Sequence, residues 1–307
     1  NGIDIMTTET TCLSSIWITD EEVKKHYDTH RRGEFYKELR PGDVAYYDSM
    51  IRIDLSKQES MIALPYHPSN AVSIHELQAN PEAVLRAVEE DTHKRYGDKV
   101  QIDLVSKVKN GKMVADQGII AGCAGGTYDN LAEAAAIMRD KSVGNDYFTM
   151  SAYLQSVPVY LATTRNHIAE VLLEAGVIIK PAFCGPCFGA GDVPSNNGFS
   201  IRHTTRNFPN REGSKPGQGQ ISLVALMDAR SIAATAANGG VITAATDIEY
   251  TNDYKPYAFD PTVYEHRIYN GFGKADPQQE LRYGPNIKDW PKMYPMAENM
   301  LVELAAV

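Results

Sequence analysis

Between residues 117 and 240 the chain alternates short apolar segments with amphipathic or alanine-rich ones, and this alternation constrains the fold more than any other feature. The apolar segments predict strands, and the longer segments that end at glycine predict helices. The predicted strands are residues 117–121, 147–154, 157–162 and 177–179, and the predicted helices are residues 129–140, 164–175 and 228–238. Residues 221–227 form either a strand or a buried helix segment. Strand–helix repeats with short turns indicate parallel βαβ units, and therefore an α/β fold.

The segments on either side are less regular. Thr19 and Glu22 form a capping box that predicts a helix to about residue 30, and Pro81 opens a second helix to about residue 96. Alternating residues over 44–55 predict one or two strands. Residues 250–295 are rich in turn formers and predict an extended linker, with a final helix over 296–306. We expect domain boundaries that divide the chain into residues 1–90, 91–250 and 251–307.

Charge and cysteine content exclude several classes of protein. The 307 residues carry a formal net charge of −9, which disfavours nucleic acid as a partner. No apolar run approaches the roughly 18 residues of a membrane span, and the first residues do not resemble a signal peptide. The four cysteines are too few for a secreted disulfide scaffold of this length. We therefore expect a cytoplasmic chain whose thiols are reduced, metal-bound or catalytic.

The sharpest local motif is the pair Cys184 and Cys187 in the segment CGPC. A CxxC pair occurs in redox dithiols, in zinc sites and in iron–sulfur sites. The glycines and proline of residues 189–194 disfavour the long helix that follows a thioredoxin-like CGPC motif. Structural zinc usually requires a second pair of ligands, and the only HxxxH pair, His26 and His30, lies far upstream.

A third cysteine, Cys123, lies in the glycine-rich turn between a predicted strand and a predicted helix. Functional groups of α/β proteins often occupy such turns. Three thiolates from two loops suit an iron–sulfur cube in which one iron lacks a protein ligand and can act as a Lewis acid. The alternative is that Cys123 is a small buried apolar residue. The residues alone leave both interpretations open.

Two arginines, Arg206 and Arg211, flank a Phe-Pro-Asn turn shortly after the CGPC segment. Arginine binds carboxylates through two parallel hydrogen bonds and stays charged at any working pH. The pair predicts a binding site for a substrate with several carboxylates. The alternative is a surface loop that happens to carry two arginines.

These segments, in this order and spacing, resemble the aconitase / isopropylmalate isomerase superfamily. Its GSCTN-like segment corresponds to residues 121–125, its CGPC-like pair to Cys184 and Cys187, and its RNFxxR loop to residues 206–211. The resemblance implies an α/β fold like the aconitase iron–sulfur domain: mostly parallel βαβ units in three layers, with an extended C-terminal linker. It implies a hydro-lyase that dehydrates and rehydrates a hydroxy-polycarboxylate.

The resemblance also implies roles for individual residues. Cys123, Cys184 and Cys187 would hold a [4Fe–4S] cluster, while Arg206 and Arg211 would bind substrate carboxylates. The segment of residues 9–17 is similar to the family's ExGATTSIF segment, so that Glu9 would be an active-site glutamate.

The chain also departs from the family's pattern. Ile5, Gly122 and Thr205 stand where the family has Asn, Ser and Asn, and residues 124–125 are Ala-Gly in place of Thr-Asn. These changes remove polar groups near the substrate and put citrate itself in doubt.

By the same resemblance, residues 1–90 would belong to the family's second domain, residues 91–250 to the cluster-binding third domain, and residues 251–307 to a linker. We expect that the first and the fourth, swivelling, domains are missing and that the chain alone has no measurable activity. A non-catalytic, iron-sensing RNA-binding module is the alternative, which the acidic charge disfavours.

Overall fold

The computed structural model describes residues 2–9, 12, 14–144, 146–209, 215, 218–276, 278, 284–285, 293–297 and 300–303. The chain separates into two compact units, Asn1–Val263 and Tyr264–Val307. The predicted boundaries near residues 90 and 250 stay predictions. Among the described residues, no helix has both the length and the apolar character that crossing a membrane requires.

Strands and helices follow one another along the first unit, and a strand pair occurs in the second. The strands are β1 (Met61–Ala63), β2 (Ala71–Ser73), β3 (Val108–Lys109), β4 (Lys112–Met113), β5 (Gln117–Ile120), β6 (Thr149–Tyr153), β7 (Ile178–Lys180), β8 (Gly198–His203), β9 (Ser222–Met227), β10 (Met293–Ala297) and β11 (Met300–Glu303). The α-helices are α1 (Gly2–Glu9), α2 (Glu21–Thr29), α3 (Ile74–Ala79), α4 (Pro81–Tyr96), α5 (Gly122–Gly125), α6 (Tyr128–Met138), α7 (Val157–Arg165), α8 (Ile168–Glu174), α9 (Gly185–Phe188), α10 (Ala229–Ala237) and α11 (Thr262–Glu265).

A seven-stranded sheet organises the first unit, in the order β2-β1-β9-β8-β5-β6-β7. The five strands from β9 to β7 are mutually parallel, whereas β1 runs antiparallel to both β9 and β2. The expected α/β fold with a mostly parallel sheet is therefore confirmed. From β5 the chain continues to β6 and β7 on one side, and then returns to β8 on the other. The carboxyl ends of β5 and β8 thus meet where the strand order reverses, which is where open α/β sheets bind ligands.

The two faces of the parallel strands differ in character. Alternate residues of a strand point to opposite faces. On one face Ile120, Met150 and Ile201 join the main apolar core, against which the alanine-rich helices pack. On the other face, Ile119, Ala121 and Tyr153 form a second, smaller apolar cluster. This face also carries the polar residues Gln117, Ser151, Lys180, Ser200 and Arg202.

Several predicted elements agree closely with the structure. The second predicted helix is α4, which starts at Pro81, and the predicted strands at 117, 147 and 177 are β5, β6 and β7. Of the two alternatives for residues 221–227, the structure has the strand, β9. The first predicted helix is α2, but its N-cap is Asp20, whose carboxylate accepts from the backbone N–H of Val23. The capping residue therefore lies one position later than predicted.

Other predictions are wrong. Residues 157–162 form α7, because Ser156 caps the helix and Pro158 lies in its first turn. The final segment contains β10 and β11 in place of a helix. Residues 44–54 are all described, and none is in a strand: Tyr46 is 94% exposed and Met50 is 88% exposed. An alternating pattern forms a strand only where a partner accepts its backbone hydrogen bonds.

Phe199 lies on the apolar face of β8 and is 0% exposed. We expect Phe199→Ala to lower the free energy of unfolding by about 3 to 5 kcal/mol, because it leaves a cavity in the core. Urea denaturation followed by circular dichroism measures this loss. Tyr147→Ala, at a side chain that is 82% exposed, is the control and should change it by less than about 0.5 kcal/mol. Equal effects of the two substitutions would contradict the position of β8 in the core.

Candidate functional site

The first part of the site is the turn that follows β5 and carries Cys123. Glycines allow this turn to lie against neighbouring backbone. A Cβ atom on Gly126 would lie 2.0 Å from the carbonyl oxygen of Tyr153, and one on Gly125 would lie 2.4 Å from that of His203. The Nε2 of Gln155 donates to the carbonyl oxygen of Cys123 at 3.4 Å. The turn is thus fixed between the ends of β6 and β8, and the Cys123 side chain is exposed.

The second part is the loop between β7 and β8 that carries Cys184 and Cys187. Its single helical turn is α9, in which the N–H of Cys187 donates to the carbonyl oxygen of Cys184 at 3.0 Å. The turn ends at Gly189, whose φ of 81° lies in the left-handed region. The thioredoxin-like interpretation requires a long helix after the motif, and this early end argues against it.

The structure brings the three cysteines together. Burial raises the pKa of the Cys187 thiol, and the neighbouring thiols of Cys184 and Cys123 raise it further. The Arg206 guanidinium and the backbone N–H of Thr205 act in the opposite direction without reversing the shift. A catalytic redox cysteine usually has a lowered pKa. The Cys187 thiol is therefore not activated as an attacking nucleophile.

The three thiols suit an iron–sulfur cluster better than a single metal ion. Within the part of the chain that the structure describes, no group of three His, Cys, Asp or Glu side chains is arranged to hold one metal ion. A four-iron cube is wider than a single ion and separates its thiolate ligands further. Thiolates are also the preferred ligands of such clusters. The donor set formed by Cys123, Cys184 and Cys187 is thus chemically suited to the cluster that the family resemblance implies.

The loop after β8 lies beside Cys187. Arg206 is half-buried, and its Nη1 donates to the carbonyl oxygen of Cys187 at 3.5 Å. Three buried side-chain atoms at the end of β8 and in this loop have no hydrogen-bond partner among the described residues, and they are His203 Nδ1, Thr204 Oγ1 and Asn207 Oδ1. Buried polar atoms are normally paired, so an unpaired group of them commonly marks a place for a ligand or water.

A cavity of about 950 Å3 adjoins the Cys123 turn. Its walls include Ala124, Gln155 and His203 on the side of the sheet, and His26 and His30 on the side of α2. The rings of the two α2 histidines are 4.3 Å apart, and burial together with the charge of His30 lowers the pKa of His26. The sequence predicts a solvated histidine pair, which the exposed His26 confirms, whereas the half-buried His30 contacts Tyr257 and Phe259.

Polar side chains on the polar face of the sheet hold the cysteine loop, and no motif in the sequence predicts this role for any of them. Lys180 Nζ donates to both carboxylate oxygens of Asp192, at 2.9 and 2.8 Å, and the Ser151 hydroxyl donates to Oδ1 at 3.2 Å. Arg202, which is 1% exposed, donates to two carbonyl oxygens of the loop. The only sequence signal is that β8 alternates apolar with polar residues, although both of its faces are buried.

The side chains of two predicted site residues lie outside the described part of the chain. Arg211 lies outside the described residues. Glu9 is the last residue of α1, and its side chain is not among those described. Their predicted roles stay predictions, as do those of the three cysteines and Arg206.

Comparison with known proteins decides the family. A profile of the aconitase family (aconitate hydratase) matches residues 1–234, which is more than half of the chain. The chain belongs to the aconitase family. Among curated relatives, the 3-isopropylmalate dehydratase large subunit 1 of Methanopyrus kandleri is 25% identical over 216 residues, 70% of this chain and 44% of the relative. The 3-isopropylmalate dehydratase large subunit of Thermococcus kodakarensis is 31% identical over 198 residues, 64% of this chain and 41% of the relative.

The chain spans less than half the length of these aconitase-family relatives. Relatives with names of this kind belong to hydro-lyases, so the chain is related to a family of lyases that add or remove water. The described part contains the three cysteines and the first arginine of this family's pattern, on an aconitase-like α/β sheet.

Asp192 connects the cysteine loop to the sheet, and its ionisation should therefore affect stability. Burial acts to raise its pKa, but hydrogen bonds from Lys180, Tyr153 and Ser151 outweigh burial and lower it. A lowered folded-state pKa adds stability above the unfolded-state value of about 3.9, and this stability is lost as the pH falls below it. We expect Asp192→Asn to lower the free energy of unfolding at pH 7 by about 1 to 2 kcal/mol and to weaken its acid dependence.

Urea denaturation at pH values from about 3 to 7 tests this expectation. Asp98→Asn, at a carboxylate that is 91% exposed, is the matched control and should leave the curve unchanged. An Asp192→Asn curve that stays parallel to that of the unaltered chain down to the acid end would show that Asp192 is not stabilised as a carboxylate.

Proposed function

We propose that the chain is the cluster-binding part of a hydro-lyase that dehydrates and rehydrates a hydroxy-polycarboxylate. The observation that carries this proposal is the convergence of Cys123, Cys184 and Cys187 beside Arg206, at the carboxyl ends of β5 and β8. The three thiols would hold a [4Fe–4S] cluster. When bound, this cluster supplies an iron without a protein ligand that polarises the substrate hydroxyl as a Lewis acid.

The chain's own residues bind and orient the substrate. Arg206 would bind one substrate carboxylate, since its guanidinium keeps its charge at every working pH and matches the geometry of a carboxylate. Arg211 would bind a second carboxylate, and Glu9 would contribute to the network around the substrate hydroxyl.

The remaining catalytic groups would come from other parts of the enzyme. The aligned relatives are large subunits, and the alignments leave more than half of their length without a counterpart in this chain. We therefore propose that further domains, or a small subunit, complete the site and supply the base. The isolated chain should accordingly show no measurable turnover. The departures from the family's pattern at Gly122, Ala124 and Thr205 favour a substrate other than citrate. The relatives' names make 3-isopropylmalate a substrate to test beside cis-aconitate.

The cluster is tested by anaerobic reconstitution with iron and sulfide. We expect four irons per chain and the visible absorption of thiolate-bound iron in the unaltered protein. Cys123→Ser, Cys184→Ser and Cys187→Ser should each lose most of it. Cys12→Ser is the matched control and should retain it, because Cys12 is not a predicted ligand. A cluster that persists in each of the three single variants, or that is lost in Cys12→Ser, would contradict the proposed ligand set.

Activity is tested separately, by following cis-aconitate hydration and 3-isopropylmalate dehydration spectrophotometrically with the reconstituted chain. We expect no turnover, because the base would lie outside the chain. Substrate binding should nevertheless be measurable as a change in the spectrum of the cluster, and Arg206→Met should weaken it by roughly 1.5 to 3 kcal/mol, about 10- to 150-fold in Kd. Turnover by the isolated chain would show that it contains its own base.

A further inference from the structure

Arg202 is a cation buried beneath the cysteine loop. It lies on β8, opposite Ile119 of β5, on the polar face of the sheet. Its side chain is 1% exposed, and its guanidinium donates four hydrogen bonds to described acceptors. They go from Nε to Ser200 Oγ at 2.9 Å, from Nη1 to Pro186 O at 2.7 Å, and from Nη2 to Asp192 O at 3.1 Å and Gln117 Oε1 at 3.4 Å.

The two backbone acceptors, Pro186 O and Asp192 O, lie in different parts of the loop. Pro186 lies between the two cysteines, and Asp192 lies five residues after Cys187, where the loop turns back towards β8. One planar guanidinium thus holds the cysteine turn and the end of the same loop at once. Lysine cannot do this, since its ammonium is a single point on a flexible stem, whereas the donors of arginine form a rigid fork.

The side-chain acceptors do not depend on Arg202. The Ser200 hydroxyl donates to Gln117 Oε1 at 2.7 Å, so these two groups remain paired when the guanidinium is removed. Among the described acceptors, the two loop carbonyls lose this donor. Removal of the buried charge relieves its desolvation, which offsets part of this loss. Stability alone therefore does not account for an arginine at this position.

We infer that Arg202 is the positioning residue of the cysteine loop: it fixes Pro186 and Asp192 to the sheet so that Cys184 and Cys187 face Cys123. This role deepens the proposed function and rests on it where the cluster is concerned. The position of the loop is nevertheless a property of the chain itself, and it can be measured without any metal.

The test compares Arg202→Met and Arg202→Lys with the unaltered chain. The first readout is the alkylation rate of each cysteine in the metal-free protein, measured by mass spectrometry. In Arg202→Met we expect Cys187 to react about tenfold faster or more, since hydrogen bonds from a charged group no longer hold its loop closed. Cys123 should react at an unchanged rate and serves as the internal standard. Arg202→Lys, which can hold one carbonyl, should lie between the two.

The second readout is the amount of iron and sulfide that is retained after anaerobic reconstitution and gel filtration. We expect a severalfold loss in Arg202→Met and partial recovery in Arg202→Lys. Lys107→Met is the matched control, because Lys107 is a half-buried cation paired with Asp116. Asp116 directly precedes the amino end of β5, whereas Cys123 follows its carboxyl end. Its cysteine reactivity and iron content should equal those of the unaltered chain.

The outcomes separate the two proposals. If the unaltered chain takes up no cluster, the proposed function fails, and cysteine alkylation alone decides the role of Arg202. If it takes up a cluster and Arg202→Met matches it in both readouts, the positioning role is overturned. Should Arg202→Met lose its circular dichroism spectrum, the folded Arg202→Lys chain decides: Cys187 reactivity equal to that of the unaltered chain overturns the inference, and a raised reactivity supports it.

Discussion

The candidate site depends on hydrogen bonds between a polar sheet face and a loop that has no apolar core of its own. Gln117, Ser151, Ser200 and Arg202 occupy this face, and the loop that carries Cys184 and Cys187 lies against it. Apolar packing is strong but non-directional, so it would leave such a short loop free to shift. Hydrogen bonds from a rigid guanidinium fix both distance and angle. The apolar face supplies the stability of the sheet, and the polar face supplies the position of the thiols.

Sheet topology explains why residues far apart in sequence meet. Because β5 and β8 are neighbours although they are separated by β6 and β7 in the chain, the turns after them lie side by side. One turn carries Cys123 and the other carries Arg206. Their close approach requires glycine at Gly125, where a side chain would collide with the backbone of His203. Gly125 is itself one of the departures from the family's pattern, so in this chain the departure and the close approach to His203 occur at the same residue.

Much of the fold could be predicted from apolar periodicity, but the central strand β8 could not. Phe199 and Ile201 face the core, whereas Ser200 and Arg202 fill a buried face with polar groups, so the strand lacks the continuous apolar run of a buried parallel strand. For the same reason Arg202 and the Lys180–Asp192 pair are invisible to a search for apolar cores. The cysteines and Arg206 could be found because their chemistry is rare and their spacing is characteristic. Helix α7 could have been found too, since Ser156 and Pro158 are ordinary signals of a helix start.

The crowding of three thiols has a cost that the fold must offset. Burial and the neighbouring thiols raise the pKa of Cys187, so the metal-free site favours its protonated form. A metal centre requires thiolates, and its binding therefore releases protons and depends on pH. Where a loop is disordered without metal, binding must also order it, which lowers the affinity. Here the contacts from Arg202 and Lys180 order the loop beforehand. If the three cysteines hold a cluster, as proposed, deprotonation would reduce the affinity of the site for it, whereas loop ordering would reduce that affinity much less.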